Sequence, residues 1–178
     1  FGMGAFETIA VEKGKPILLE KHIERLEKAA DFLQLGSCSA KGFSKEKVFS
    51  YLASQDSEMT DHGVLKIVCS AENMFFQMRK NIYSEEDYAK GFVTDISKVR
   101  RNETSPLVYH KTLNYGDCIL EKRAAMAAGI NEKVFINTKG QISEGTVSNI
   151  FFVRKNMIYT PQLSCGLLPG ILREYVMS

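Results

Sequence analysis

The sequence predicts an α+β fold in two halves, with helices packed against mostly antiparallel sheets. Three observations support this prediction: one long amphipathic stripe, several short strands separated by turns, and a polar segment with a proline near the middle. The polar segment falls within residues 97–107. We therefore expect an N-terminal α/β sandwich domain over residues 1–98, a linker over 99–107 and a C-terminal domain over 108–178. The chain has neither a GxGxxG motif nor an alternating parallel βαβ series, which disfavours a Rossmann domain.

The N-terminal half begins with a predicted hairpin and a helix. A strand over residues 5–11 precedes a turn at 13–16 and a second short strand at 17–19. Residues 20–35 carry apolar side chains at spacings of four and three, which is the pattern of an amphipathic helix. The other predicted elements of this half are a helix over residues 44–54 and strands over 64–69, 74–79 and 92–96.

The C-terminal half predicts a helix, a series of short strands and a final helix. Gly129 closes the first of these helices, and Pro169 with Gly170 opens the last, because glycine favours a helix end and proline a first turn. The predicted elements are a helix over residues 113–128, strands over 133–137, 141–143, 149–154 and 157–160, and a helix over 171–177.

The overall composition is that of an ordinary globular domain with a balanced charge. The 178 residues include 23 Lys and Arg against 21 Asp and Glu, so the formal net charge is +2. A nucleic-acid or membrane partner is therefore not expected, since both need concentrated positive charge. The four cysteines are widely spaced without a metal-binding pattern, and no secretory signal precedes them. These features favour reduced thiols and a cytoplasmic location.

Two places in the sequence could bind an anion. Arg25 lies beside the apolar stripe of the first helix, where an arginine either extends its charge to solvent or meets an anion such as phosphate. The segment that follows Pro169 and Gly170 could present the N–H groups of Ile171 and Leu172 to a phosphate. An ordinary helix start is the commoner explanation of such a segment, so both interpretations stay open.

Lys111 and Glu144 are candidates for covalent and acid–base chemistry. Lys111 follows the apolar stretch 106–109, and a lysine in partly apolar surroundings loses proton affinity and can form a Schiff base. Glu144 follows a turn at Gly140, and a carboxylate beside a pyridine nitrogen would keep that nitrogen protonated. On chemistry alone, residues of these two kinds are more often ordinary surface residues than site residues.

Five short motifs occur in order along the chain. They are Phe1-Gly2-Met3-Gly4-Ala5-Phe6-Glu7-Thr8, His22-Ile23-Glu24-Arg25-Leu26, Lys111-Thr112-Leu113-Asn114-Tyr115, Ser143-Glu144-Gly145 with Ser148-Asn149-Ile150-Phe151, and Tyr159-Thr160-Pro161 with Gly166-Leu167-Leu168-Pro169-Gly170-Ile171. In order and spacing they resemble the class IV (branched-chain-aminotransferase-like) family of pyridoxal 5'-phosphate enzymes. The resemblance implies the two-domain, D-amino-acid-aminotransferase-like fold of that family. It also implies truncation at both ends, because the family has a strand before Phe1 and a longer part after Ser178.

The resemblance implies a role for each matching residue. Lys111 would be the Schiff-base lysine that carries pyridoxal phosphate and moves protons, and Glu144 would pair with the pyridine nitrogen. Arg25 and the amides of Ile171 and Leu172 would hold the phosphate. Members of the family act on small molecules and are usually homodimers.

Three positions bear on how closely the chain follows the family pattern. Tyr115 would lie near the cofactor phenolate, although this position varies in the family. Met3 stands where an aspartate is common. Leu172 stands where the transaminases often have a threonine, so a side-chain contact to the phosphate is lost while the backbone contact can remain.

The family contains lyases and transaminases, and the sequence favours a lyase. In the D-amino-acid enzymes an Arg-x-His on the strand after the second helix binds the substrate carboxylate, whereas residues 69–75 here contain neither arginine nor histidine. Phe6 stands where those enzymes have a tyrosine, and Thr8 could help to position a substrate. The resemblance therefore implies a lyase that releases pyruvate from 4-amino-4-deoxychorismate to give 4-aminobenzoate for folate.

Two alternatives stay open at this point. The chain could be an aminotransferase for D-amino acids or branched-chain amino acids, which would convert the cofactor to its amine form. It could also be an inactive, truncated relative that serves as a binding module. The presence of both Lys111 and Glu144 argues against this last alternative, because an inactive copy has no reason to keep them.

Overall fold

The computed structural model describes residues 2–178, which form two compact units of α+β structure. The first unit comprises Phe1–Ser84 together with Lys111–Asn114, and the second comprises Glu85–His110 together with Tyr115–Ser178. The predicted α+β class is confirmed. Among residues 2–178, no helix has the length and apolar character that a bilayer crossing would require.

The first unit is built on a four-stranded antiparallel sheet. The strands lie in the order β2-β1-β3-β4, and β1 pairs with β3 along its whole length. Its elements are β1 (Gly4–Glu12), β2 (Lys15–Pro16), α1 (Leu19–Phe32), α2 (Lys45–Ala53), α3 (Ser57–Asp61), β3 (His62–Ser70) and β4 (Met74–Lys80).

Alternation along β1 determines which side chains enter the core of this unit. Successive side chains of a strand point to opposite faces, and Ile9 and Val11 are fully buried on the face that also carries Ala5 and Glu7. Helix α1 contributes the buried Leu26 to the same core. Burial of such apolar side chains, each stabilising by roughly 1.5–3 kcal/mol, explains why this hairpin and helix form as the periodicity predicted.

The second strand of the predicted hairpin was placed too late in the chain. Lys13 and Gly14 both adopt positive φ and complete a two-residue turn, so β2 begins at Lys15. Leu18 then takes a left-handed conformation as the N-cap of α1, which ends the strand before the predicted residues 17–19. The helix over 44–54 matches α2, and the Ser44 hydroxyl accepts a hydrogen bond from the Lys47 amide as its N-cap.

The second unit contains a three-stranded sheet and a separate two-stranded ribbon. Strands β5 and β6 are parallel and are connected through α5, whereas β6 and β7 are antiparallel, and β8 pairs only with β9. The elements are α4 (Glu85–Lys90), β5 (Thr94–Arg101), α5 (Gly116–Ala127), β6 (Glu132–Asn137), β7 (Ile142–Gly145), β8 (Phe152–Arg154), β9 (Met157–Tyr159) and α6 (Ile171–Met177). The parallel β5–β6 pair is an exception to the antiparallel pattern that the sequence predicted.

The expected linker over residues 99–107 differs from the division that the structure shows. Strand β5 continues to Arg101, which lies opposite Asn137 of β6, and residues 85–98 group with the second unit rather than the first. The difference has a physical reason. Ser97 is buried while Lys98 and Arg100 are exposed, so this strand alternates with polar side chains and resembles a linker in sequence.

Candidate active site

Lys111 is held beside the first half of β1 by backbone hydrogen bonds. The Phe6 amide donates to the Lys111 carbonyl at 2.9 Å, and Ala5 forms an isolated antiparallel bridge with Thr112. Because paired residues of neighbouring strands point to the same face, the Lys111 side chain lies on the Phe6 face, with its Nζ 4.5 Å from the ring centre. The predicted Schiff-base lysine therefore lies over an aromatic ring on a fixed backbone.

A second ammonium group lies over the same ring. The Nζ of Lys66, from β3, lies 5.3 Å from the Phe6 ring centre, within the ~6 Å range of a cation–π contact. Thr8, the weak substrate candidate, is exposed and lies opposite Lys66 in the β1–β3 register. The Phe6 face thus carries a buried ring, two amines and one hydroxyl group.

Arg25 meets an anion that belongs to the fold itself. Its Nε and Nη2 donate to the two carboxylate oxygens of Glu7, each at 2.7 Å, in a bidentate pair. The His22 Nδ1 also donates to Glu7 at 2.6 Å, since a carboxylate oxygen accepts. The sequence left solvent and an anion as alternatives for Arg25, and the anion found is Glu7. A contact from Arg25 to a cofactor phosphate stays a prediction.

The environment of Glu7 favours its charged form despite complete burial. Burial opposes ionisation, but the hydrogen bonds and positive charge of Arg25, together with His22, outweigh it and hold the pKa of Glu7 below its ordinary value. A buried charge is tolerated when it is paired and hydrogen-bonded in this way. The pair fixes α1 against β1 at the level of Phe6.

Arg25 and Lys111 make their contacts on opposite sides of β1. Glu7 and Phe6 are adjacent in the strand, so their side chains point to opposite faces of the sheet. The Arg25–Glu7 pair lies on the side of α1, and the Lys111 amine lies over Phe6. Adjacent positions of one strand therefore anchor two of the predicted site residues, although on different faces.

Glu144 lies in the second unit, at the end of β7, and both of its carboxylate oxygens accept hydrogen bonds. Arg101 Nη2 donates to Oε1 at 2.6 Å, and the Leu168 amide donates to Oε2 at 3.0 Å. The Glu144 side chain is 7% exposed and that of Arg101 is 12% exposed. The carboxylate is consequently held in one orientation by a strand residue and a loop residue.

Tyr115 lies near this pair as the N-cap residue of α5. Its hydroxyl donates to the Thr146 carbonyl at 3.1 Å. Burial, reinforced by the neighbouring Cys118 and Glu144, raises the pKa of Tyr115 above its ordinary value. The phenol therefore stays protonated and acts as a hydrogen-bond donor at neutral pH. Its predicted contact with a cofactor phenolate stays a prediction.

The loop before α6 is locked by Asn149. The Asn149 side-chain amide donates to the Leu168 carbonyl at 3.1 Å, and a Cβ at position 170 would lie 1.8 Å from the Asn149 Oδ1. Only glycine fits at position 170 without a shift. Helix α6 then begins at Ile171, and no side chain caps it. The amides of Ile171 and Leu172 form its first turn, as the sequence predicted, while a phosphate contact stays untested.

The types of residue predicted for the site suit pyridoxal phosphate. A primary amine can condense with the aldehyde, a carboxylate suits a pyridinium nitrogen, and guanidinium or helix N–H groups suit a phosphate. Among the described residues, one buried side-chain nitrogen or oxygen has no hydrogen-bond partner. This atom is the Nε of Arg101, in the second unit. Residues of these kinds are suited to pyridoxal phosphate chemistry.

Comparison with known proteins gives the family. The amino-transferase class IV family model matches residues 4–178, and the chain belongs to this family of pyridoxal-phosphate-dependent enzymes. The two-domain fold expected from the motifs is confirmed by similarity to a fold IV-transaminase from Curtobacterium pusillum. That structure superposes with a TM-score of 0.85 at 26% identity, over 99% of this chain and 65% of its own.

Two relatives carry different activities in their names. Aminodeoxychorismate lyase of Bacillus subtilis is 28% identical over 188 residues, covering 99% of this chain and 64% of that protein. The "probable branched-chain-amino-acid aminotransferase" of Thermotoga maritima is 31% identical over 176 residues, covering 97% of this chain and 61% of that protein. The chain therefore spans less than two thirds of the length of either relative.

Sequence reasoning missed Glu7 and Arg101, the two buried partners of predicted site residues. A signal for Glu7 was present, because it shares the apolar face of β1 with Ala5, Ile9 and Val11. A charge in an apolar row must be paired, and an arginine beside an apolar stripe was already singled out. No comparable signal existed for Arg101, whose polar surroundings in sequence indicated a linker.

Proposed function

We propose that this chain acts as a pyridoxal-phosphate-dependent lyase that releases pyruvate from 4-amino-4-deoxychorismate to give 4-aminobenzoate. The observation that carries the proposal is the placement of Lys111 over Phe6, a residue without a hydroxyl group, on the face of β1 opposite Glu7. The D-amino-acid transaminases have a tyrosine at the position of Phe6, and its hydroxyl can contact the substrate carboxylate. Residues 69–75, where the Arg-x-His of those enzymes would stand, contain no arginine or histidine. Similarity to the Bacillus subtilis lyase across 99% of the chain supports the same choice.

Lys111 performs the central steps in this proposal. Bound pyridoxal phosphate supplies an aldehyde that an amine can condense with and a ring that withdraws electrons from that amine. The Lys111 Nζ then accepts the proton from the substrate carbon that bears the amine. It returns a proton to the departing enolpyruvate as the carbon–oxygen bond breaks, and formation of the aromatic ring favours the products.

The other predicted residues bind and orient. In the proposal, Glu144 accepts a hydrogen bond from the pyridinium nitrogen, and Tyr115 donates to the phenolate. Arg25, with the amides of Ile171 and Leu172, binds the phosphate. Thr8, which is exposed beside Lys66, positions the substrate.

An aminotransferase is the second candidate, and one observation favours it. The Thermotoga maritima relative that carries this name is 31% identical, against 28% for the Bacillus subtilis lyase. An aminotransferase would act on D-amino acids or branched-chain amino acids and use a 2-oxo acid to regenerate the aldehyde form of the cofactor. An inactive relative that acts only as a binding module would do neither, and homodimer formation is an expectation for both enzymes.

One assay separates these functions. The protein, with pyridoxal phosphate bound, is incubated with 4-amino-4-deoxychorismate, and pyruvate is measured through lactate dehydrogenase while 4-aminobenzoate is measured by its fluorescence. Parallel reactions contain D-alanine or L-leucine with 2-oxoglutarate. Lys111→Ala is the test variant, and Lys98→Ala, at an exposed position of β5, is the matched control.

The lyase proposal expects equal amounts of pyruvate and 4-aminobenzoate from the wild type and Lys98→Ala, and neither product from Lys111→Ala. Amino-group transfer to 2-oxoglutarate without pyruvate release would establish the aminotransferase instead. No turnover with any substrate, despite a bound cofactor, would favour the binding module.

A further inference from the structure

Arg101 is a largely buried cation that is paired with Glu144. Its side chain is 12% exposed, and its Nη2 lies 2.6 Å from the Glu144 Oε1. Burial opposes the charge, but the negative charge of Glu144 outweighs it and raises the pKa of Arg101 above its ordinary value. Arg101 therefore carries its positive charge at neutral pH.

The surroundings of Arg101 show little that would favour a guanidinium for stability alone. Its guanidinium carbon lies 5.4 Å from the Phe135 ring centre, and its Nη1 lies 3.5 Å from the Cys118 sulfur. Its Nε is buried without a hydrogen-bond partner among the described residues. An unsatisfied buried donor costs about 1–3 kcal/mol, and well-packed apolar groups can replace a buried ion pair without loss of stability. The arginine is better explained by what it does to Glu144.

Arg101 and Leu168 hold the carboxylate from two directions. The Leu168 amide binds Oε2 at 3.0 Å while Arg101 binds Oε1, so each oxygen has a donor from a different part of the second unit. The Glu144 side chain is only 7% exposed, so these two protein donors determine the direction of its carboxylate.

We propose that Arg101 is a positioning residue that sets the contact between Glu144 and the ring nitrogen of bound pyridoxal phosphate. It does so by fixing the direction of the carboxylate through its hydrogen bond to Oε1. This inference rests on the proposed function, which assigns the ring nitrogen to Glu144. A purely structural ion pair would contribute to the stability of the second unit, but its loss would not change the preference for a cofactor that has the ring nitrogen.

The test compares two cofactors that differ at that one atom. Pyridoxal phosphate and 1-deazapyridoxal phosphate, in which carbon replaces the ring nitrogen, are titrated into the wild type and the variants, and their dissociation constants are measured by absorbance. The variants are Arg101→Met, Arg101→Lys and Glu144→Gln. Arg100→Met, at the exposed neighbouring position, is the matched control, and thermal unfolding of each apo protein checks the fold.

We expect the wild type and Arg100→Met to prefer pyridoxal phosphate over its deaza analogue. The preference should fall about tenfold or more in Arg101→Met and in Glu144→Gln, because a hydrogen bond to a charged group is lost. Arg101→Lys should restore part of it, since lysine supplies the charge without the planar geometry.

Two other results would overturn the inference in distinguishable ways. In the first result, Glu144→Gln abolishes the preference while Arg101→Met weakens the binding of both cofactors equally or of neither. Arg101 would then be only structural, and the role of Glu144 would stand. If Glu144→Gln leaves the preference unchanged, or the wild type binds neither cofactor, the assignment of Glu144 in the proposed function fails and the role of Arg101 fails with it.

Discussion

At the residue scale, Glu7 links the predicted arginine to the stability of the first unit. It is 0% exposed and accepts three hydrogen bonds from Arg25 and His22. Removing one partner of a buried ion pair leaves the other charge uncompensated. Whatever Arg25 does toward a phosphate, its contact with Glu7 therefore has a structural consequence that can be measured separately.

Glu7→Gln should lower the free energy of unfolding at neutral pH by about 3 kcal/mol, because Arg25 loses its buried counter-ion. The folded pKa of Glu7 lies below its ordinary value of 4.5, so its contribution is complete above that pH and is lost as the pH falls through the folded pKa. Urea denaturation of both proteins, from about pH 7 down to about pH 3, should show the difference between them shrinking only below about pH 4.5.

Glu24→Gln is the matched control, because Glu24 lies on the same helix with a side chain that is 58% exposed. It should change the free energy of unfolding by no more than a few tenths of a kcal/mol. A difference between Glu7→Gln and the wild type that stays constant down to the lowest pH would contradict the proposed ionisation of Glu7.

The chemistry of single residues was predictable to different degrees. Lys111 and Glu144 could be predicted because each lies in one of the five ordered motifs. Arg101 could not, since its role depends on a contact with Glu144, which lies 43 positions further along the chain. Glu7 was predictable in principle from the alternation of β1. Hydrophobic periodicity predicts whether a side chain is buried, but it does not identify a contact partner that is remote in sequence.

At the element scale, two of the motif glycines, Gly145 and Gly170, are required by close contacts with neighbouring side chains. Gly170 has an ordinary φ of −73°, yet a Cβ there would meet the Asn149 Oδ1 at 1.8 Å. A Cβ at Gly145 would likewise lie 2.2 Å from the Ser148 hydroxyl oxygen. In both cases the contact partner belongs to the Ser-Asn pair of the same motif region, so the loop segments fit each other as a unit.

Gly170→Ala should lower the free energy of unfolding by about 1–3 kcal/mol through this overpacking. It should also weaken the binding of pyridoxal phosphate, if the first turn of α6 holds the phosphate as proposed. The control is Gly116→Ala at the start of α5, where a Cβ would meet nothing within 4 Å. Asn149→Ala combined with Gly170→Ala should cost less than the sum of the single changes, because the clash is removed. Strict additivity would contradict the contact.

Most elements followed from hydrophobic periodicity, and their boundaries followed less well. Helix α1 and the β3–β4 pair lie close to where the pattern predicted them, because α1 buries one face and β3 buries side chains on both faces in the core. Strand β5 was predicted to end at residue 96 but continues to Arg101, since its second half pairs through backbone hydrogen bonds and carries polar side chains. Backbone pairing of this kind leaves little trace in side-chain hydropathy.

At the scale of the whole molecule, each unit contains two of the four cysteines, so thiol reactivity can measure the unfolding of each unit separately. Cys38 and Cys69 belong to the first unit and Cys118 and Cys165 to the second, and all four are buried and free. Burial raises the pKa of the Cys38 and Cys118 thiols, which further suppresses their reactivity in the folded state. Alkylation of each thiol therefore requires local or global opening of its own unit.

Thiol alkylation in a urea series, with a phosphine reductant present and peptide mapping as the readout, should label none of the four cysteines in the absence of urea. Glu7→Gln should lower the urea concentration at which Cys38 and Cys69 react. If each unit unfolds around its own core, Cys118 and Cys165 should react at the same concentration as in the wild type. A parallel shift of all four cysteines would show instead that the units unfold together.

The proposed function requires the amine of Lys111 to carry the cofactor, and covalent capture of that amine is the decisive experiment. The protein is incubated with pyridoxal phosphate, reduced with borohydride, digested and mapped by mass spectrometry, in parallel with Lys111→Ala and with Lys66→Ala, which removes the other amine over Phe6. We predict a pyridoxyl group on Lys111 in the wild type and in Lys66→Ala, and no stoichiometric adduct in Lys111→Ala. Stoichiometric labelling of another lysine in the wild type, with Lys111 unmodified, would contradict the claim.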